Sequence, residues 1–107
     1  MHAIPRRSLP TAYQVVVIVA DLFGMNPMQL VSSDRHKTVA LARQLAMFIV
    51  RQELKHSYPE IGRCFGGRDH TTAMSAVRKI GQLVNARDPF ISATLTEALV
   101  RLTEDVP

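Results

Sequence analysis

The stretch from Ser57 to Thr72 constrains this chain more than any other. Ser57-Tyr58-Pro59-Glu60 has the form of a capping box with proline in the first helical turn. A helix opened there ends near Phe65, because Gly66-Gly67 breaks it with two residues free to take positive φ. Asp69 then supplies a cap for a second helix beginning at His70. Two helices joined by a tight glycine turn make a helix-turn-helix candidate.

The flanking segments also read as helices. Thr11 to Phe23 carries a β-branched cluster, Val15-Val16-Val17-Ile18-Val19, that favours a strand by propensity. Thr11 as a cap, Gly24 as a stop and the length between them predict a helix instead, with Tyr13, Val16, Val17, Ala20 and Phe23 on one face. Asn26 and Pro27 open a short helix to Val31, and Ser32–Lys37 is a polar loop. From Thr38 to His56, Val39, Ala42, Ala46, Ile49, Val50 and Leu54 form a buried stripe, while Arg43, Met47 and Arg51 share another face. The helix from His70 to about Asn85 is expected to turn Met74, Val77, Ile80 and Val84 inward. Asp88-Pro89 starts a last helix to about Leu102, burying Ile91, Leu95, Leu99 and Leu102. The expected fold is all-α, about six helices and no sheet, as one domain over residues 11–103. Residues 1–10 read as a loose basic arm and residues 104–107 as a frayed tail.

A length of 107 residues with 47% hydrophobic content suits one such domain. One Cys excludes an internal disulfide framework and a multi-thiolate zinc site, and suits a reducing cytoplasm. Cys64, between Ile61 and Phe65, reads as a small, partly buried hydrophobe, and the methionines read as core filler. No apolar run approaches the roughly 20 residues of a membrane span. The net charge of +4 is unevenly distributed. Between Arg35 and Lys79, nine Lys/Arg residues face only Glu53, Glu60 and Asp69. A clustered basic segment is the footprint of a polyanion binder, or else a solubilising surface.

The start of the second helix separates these two. Asp69-His70-Thr71-Thr72 occupies the turn that a recognition helix presents to base edges. Threonine methyls pack on thymine methyls, imidazole donates to guanine N7 or O6, and a carboxylate accepts from cytosine N4. Singly, each residue has a plainer role: Asp69 as a cap, the others as solvated surface. Together, after Gly66-Gly67 and inside the basic segment, they point to DNA.

The string Ser57-Tyr58-Pro59-Glu60-Ile61-Gly62-Arg63-Cys64-Phe65-Gly66-Gly67-Arg68-Asp69-His70-Thr71-Thr72 closely resembles the signature of the C-terminal DNA-binding domain of the DnaA family of bacterial replication initiators. Arg43-Gln44-Leu45-Ala46-Met47 and Val77-Arg78-Lys79-Ile80 match it too, and the resemblance spans roughly Thr11 to Leu102. It implies a Trp-repressor-like fold that binds a short asymmetric duplex, the DnaA box, as a monomer. It assigns Asp69, His70, Thr71, Thr72 and the Ser75 position to the major groove, and Arg35 to the minor groove. Arg43, Gln44, Arg51, Ser57 and Pro59, with the neighbouring Lys37 and Arg68, are assigned to phosphates. That division is physically reasonable, since a planar arginine suits the negative minor groove and phosphate contacts fix register.

The departures carry their own expectations. The basic loop, Ser32-Ser33-Asp34-Arg35-His36-Lys37, holds an acidic residue beside its arginine. Leu41-Ala42 replaces the family's usual Arg-Pro, and Ser75 replaces its usual His. Fewer phosphate contacts imply weaker binding and a shallower salt dependence. No Gly-x-x-x-x-Gly-Lys-Ser/Thr loop occurs, so the expectation is a stand-alone domain without the ATPase module. Catalysis by Ser57, His56 or His70, a metal site on His36, His56 and His70, and any cofactor or small-molecule substrate find no support in spacing. The remaining alternative is an adaptor that keeps the fold but works through the initiator or other replication proteins. Either is expected in the cytoplasm, the first at the nucleoid.

Overall fold

Five of the six α-helices start where a side chain can satisfy orphaned amides. Thr11 Oγ1 accepts from the Gln14 amide at 3.2 Å, and Gln14 Oε1 accepts from the Thr11 amide at 2.8 Å. Asn26 and Gln29 repeat this reciprocal box, as do Ser57 and Glu60. Asp69 accepts from the Thr71 amide at 3.1 Å, and Asp88 from the Ile91 amide at 2.9 Å. Such caps contribute about 1 kcal/mol each. In the computed structural model, which describes residues 10–104, they open α1 (Ala12–Leu22), α2 (Pro27–Leu30), α4 (Tyr58–Cys64), α5 (His70–Asn85) and α6 (Pro89–Glu104).

The long helix α3 (Lys37–Ile49) begins without a side-chain cap from His36. It passes into a π-helical turn over Val50–Leu54, closed by Lys55 in the left-handed conformation at φ 60°. The expected helix from Thr38 to His56 is therefore not uniform. Its last turn widens and reverses the chain into Ser57. No strand occurs among the described residues, so the all-α expectation holds. The basic arm lies almost entirely outside the described residues, as does the tail beyond Glu104; Thr103 and Glu104 themselves are helical.

The core is built around α3, against which α1, α2, α5 and α6 pack, while α4 packs on α5. Leu45, Met47, Ile49, Ile61, Phe65 and Ile80 are among its fully buried large side chains. Each contributes about 1.5–3 kcal/mol of transfer free energy. Three helix faces differ from the sequence expectation. On α1 the buried stripe is Val15, Val16, Val19 and Ala20, and Tyr13 is 71% exposed. That segment is apolar nearly all round, so only its partners select the inner face. On α5 the buried residues are Ala73, Ala76 and Ile80, whereas Met74 is 36% exposed and Val77 and Val84 pack at the margin. Alanines allow α5 to approach α3 closely, and the larger side chains lie to either side. On α6, Ala98 joins Ile91 and Leu102 inside, with Leu95 and Leu99 half-buried.

Two methionines and the cysteine also differ from expectation. Met47 is core, but Met28 is 71% exposed and Met74 is marginal. Cys64 is exposed, beside an apolar groove lined by Tyr13, Val16, Met28 and Val31.

Candidate nucleic-acid interface

The turn between α4 and α5 closes because two glycines let backbone approach backbone. The Gly62 carbonyl accepts from the Arg68 amide at 2.9 Å. A Cβ on Gly62 would overlap the Arg68 carbonyl oxygen, and one on Gly66 would overlap the Val31 carbonyl oxygen of the preceding loop. Gly66 and Gly67 take φ +82° and +74°, which only glycine adopts without strain. Phe65, fully buried, anchors the turn from below.

This turn delivers the first residues of α5 to solvent. Asp69, His70, Thr71, Thr72 and Ser75 are all exposed, with Ser75 one helical turn beyond Thr71 and Thr72. Ala73, Ala76 and Ile80 hold the opposite side of the helix in the core. The Asp69 carboxylate is held below the usual aspartate range, first by the Thr71 amide and further by His70 nearby. It stays ionised while capping the helix, 3.0 Å from His70 Nδ1.

The basic loop lies against the same turn. Ser32 Oγ donates to the Gln29 carbonyl at 2.7 Å and accepts from the Asp34 amide at 3.1 Å. Asp34 Oδ1 accepts from the His36 amide at 2.9 Å and lies 2.5 Å from His36 Nδ1. These His36 contacts push the Asp34 pKa down. The acidic residue beside Arg35 thus has a structural job, folding the loop that presents Arg35. Arg35, His36 and Lys37 are exposed.

Arg43 is placed differently from the phosphate-contact assignment. It is only 6% exposed. Its Nε donates to the Leu30 carbonyl at 2.7 Å. Its Nη2 lies 3.2, 3.1 and 2.9 Å from the carbonyls of Gln29, Ser32 and Asp34. To turn Nε or Nη2 to a phosphate it would have to give up these carbonyls, at about 1–3 kcal/mol for each one left buried and unpaired. Arg68, half-buried, donates from Nη1 to the Phe65 carbonyl and from Nη2 to the Ser32 carbonyl at 2.6 Å. Arg51 donates to the His56 carbonyl at 2.9 Å and stacks 4.2 Å from the Tyr58 ring centroid. Gln44 is half-buried, and its Oε1 is buried without a hydrogen-bond partner among the described residues. Ser57 and Pro59 are exposed at the start of α4.

Burial lowers the pKa values of Arg43 and Arg68. Arg68 adds to the effect on Arg43, and Arg35 to that on Arg68. Arg68 thus lies near both other guanidinium groups, and like charges gathered in this way favour an anion beside them. Arg35, Arg43, Arg68 and Thr72 line one open cleft with Ser33 and Gly66. Among residues to which the sequence reading gave no role, Ser32 lines this cleft and Gly62 closes the turn beside it; Gly66, read from the sequence as a turn former, also lets the loop approach. The Ser32-Ser33-Asp34 run was a legible turn signal, but nothing local marks the Ser32 carbonyl as a shared acceptor.

Two short-turned helices, the second presenting a polar first turn beside a basic loop, define a helix-turn-helix DNA-binding domain. The bacterial DnaA protein helix-turn-helix family matches residues 12–80, and the chain belongs to that family. The chain is 45% identical over 82 residues to the chromosomal replication initiator protein DnaA of Thermus thermophilus, covering 77% of this chain and 19% of that protein. It is 46% identical over 88 residues to the DnaA of Brucella abortus, covering 82% of this chain and 17% of that protein. The chain thus spans under a fifth of the length of these curated relatives. The crystal structure of a DNA replication initiation factor superposes with a TM-score of 0.72 at 27% identity, over 85% of this chain and 29% of the other.

Proposed function

We propose that this chain is a sequence-specific reader of duplex DNA, binding a DnaA-box-like site as a monomer at the nucleoid and acting in control of replication initiation or transcription. The observation that carries the reading is the shared cleft, in which Arg35 of the basic loop and Thr72 of α5 face the same open space. Asp69, His70, Thr71, Thr72 and Ser75 read base edges in the major groove. Arg35 enters the adjacent minor groove, where the potential is most negative. Lys37, Ser57, Pro59 and Gln44 flank phosphates and set register rather than sequence, while Arg51, held by the His56 carbonyl and the Tyr58 ring, braces the start of α4. The chain performs no catalytic step in this reading and needs no cofactor.

The test is fluorescence anisotropy with a labelled box duplex and a scrambled control across a salt series. Preference for the box, reduced by His70→Ala at about 1–3 kcal/mol, is the expected result. Equal affinity for both duplexes, unchanged by His70→Ala, would remove the proposal. It would favour the adaptor, a reading that draws on the exposed apolar groove at Tyr13 and Met28.

A further inference from the structure

We infer that Arg43 acts on DNA indirectly, as the buried half of a two-arginine clamp that locks the Arg35 loop onto the turn preceding the recognition helix. The inference rests on the proposed reading of DNA by Arg35 and α5. It concerns how those two elements are held in register.

The clamp has three parts. Arg43 enters the loop from α3 with Nε on the Leu30 carbonyl and the two Nη2 hydrogens shared among the carbonyls of Gln29, Ser32 and Asp34, so one guanidinium fixes both sides of the bend. Arg68 enters from the turn and ties Phe65 to Ser32. The two meet on one atom, because the Ser32 carbonyl oxygen accepts from Nη2 of both, and a carbonyl oxygen has two lone pairs to give. Gly66 is the third part, since its missing Cβ makes room for the Val31 carbonyl. Asp34 and Arg35 follow immediately on these pinned residues. A loop of this length would otherwise sample many conformations, and ordering it on DNA would cost affinity. With the clamp closed, that ordering is complete before DNA arrives, and Arg35 stands at a fixed offset from Thr72.

A planar fork with several donors is needed for this work. Lysine offers a compact point charge that cannot span the same carbonyls. A phosphate contact, by contrast, tolerates lysine well.

The test is a double-mutant cycle on the full chain, read by anisotropy on the box duplex, with Arg35→Ala, Arg43→Met and the pair. Arg43→Met alone should weaken binding about tenfold, and the double variant should bind no more weakly than Arg35→Ala alone. Arg43→Lys should fail to rescue. Losses that multiply in the double variant, or full rescue by Arg43→Lys, would overturn the clamp and return Arg43 to a direct contact. Gly66→Ala covers the case in which Arg43→Met does not fold. It adds no group that can touch phosphate, and its loss should likewise vanish when Arg35 is absent; a loss that persists there counts against the clamp. Amide hydrogen exchange of the free protein over Ser32–His36 gives a readout that needs no DNA. Arg43→Met, or Gly66→Ala in its place, should accelerate exchange there, and an unchanged rate would refute the clamp. If the unmodified chain does not prefer the box, the proposed function fails, and the clamp is judged on the exchange result alone.

Discussion

Arg68 reaches from the turn of the helix-turn-helix to the carbonyl of Ser32, 36 positions earlier in the chain, at 2.6 Å. That bond joins the two parts of the candidate interface through backbone, at a point where Gly66 has already let the loop come close. The geometry leaves different tolerances at the two turn glycines. Gly66→Ala must bear a left-handed φ and an overlap with the Val31 carbonyl, whereas a Cβ on Gly67 meets nothing within 4 Å. Urea unfolding should give a loss of roughly 3 kcal/mol for Gly66→Ala and about 1 kcal/mol for Gly67→Ala. Equal losses would show that the junction does not constrain Gly66.

The caps of α4 and α5 and the fold of the basic loop depend on ionised carboxylates. Glu60, Asp69 and Asp34 all have pKa values depressed by hydrogen bonds, from backbone amides first. A depressed folded-state pKa gives stability that is complete above the unfolded value and is lost as pH falls through the folded one. The ordinary values are 3.8 for aspartate and 4.5 for glutamate. The melting temperature should therefore be insensitive to these groups above about pH 5 and fall in the range below 4. Asp69→Asn keeps a capping oxygen without a titrating group, and should flatten part of that fall. A steep loss of stability near neutral pH would point to other groups.

Cys64 should be chemically accessible in the native protein, because it is exposed on α4. Burial of part of its surroundings pushes the thiol above its ordinary value of 9.0, with Glu60 adding to the effect. The thiolate is the reacting species, so labelling by a disulfide reagent should be slow at neutral pH and accelerate with alkalinity. It should go to completion without denaturant. Cys64→Ser should change stability by no more than about 0.5 kcal/mol. Labelling only after unfolding would contradict the exposed position.

Arg51 is expected to act more on stability than on DNA. It bonds the His56 carbonyl and covers the Tyr58 ring, bracing the π-helical turn against the start of α4. Arg51→Ala should cost about 1–2 kcal/mol in thermal or urea unfolding. A variant of unchanged stability but weakened DNA binding would restore the phosphate role.

Legibility in the sequence followed the range of the interactions. Thr11, Asn26, Ser57, Asp69 and Asp88 were readable as caps because each acts on amides two or three residues away. The polar first turn of α5 was readable for the same reason. The inner face of α1 was not, since Val15–Val19 satisfies several apolar faces and only packing on α3 and α6 selects one. The fate of Arg43 was also hidden. Its position outside the apolar stripe of α3 suggested solvent, but carbonyls from the Gln29–Asp34 segment close over it. The π turn has no local signature, and neither does the preference for Ala73 over Met74 at the α3–α5 contact.

The most direct measurement is an amide chemical-shift titration of the 107-residue chain with a box duplex and with its scrambled counterpart. The box should perturb two stretches together, Ser32–Lys37 and Arg68–Ser75, while the outer face of α1 around Tyr13 stays silent, and the scramble should produce weaker shifts without saturation. Perturbation confined to Tyr13 and Met28, or identical shifts from both duplexes, would contradict the proposed function.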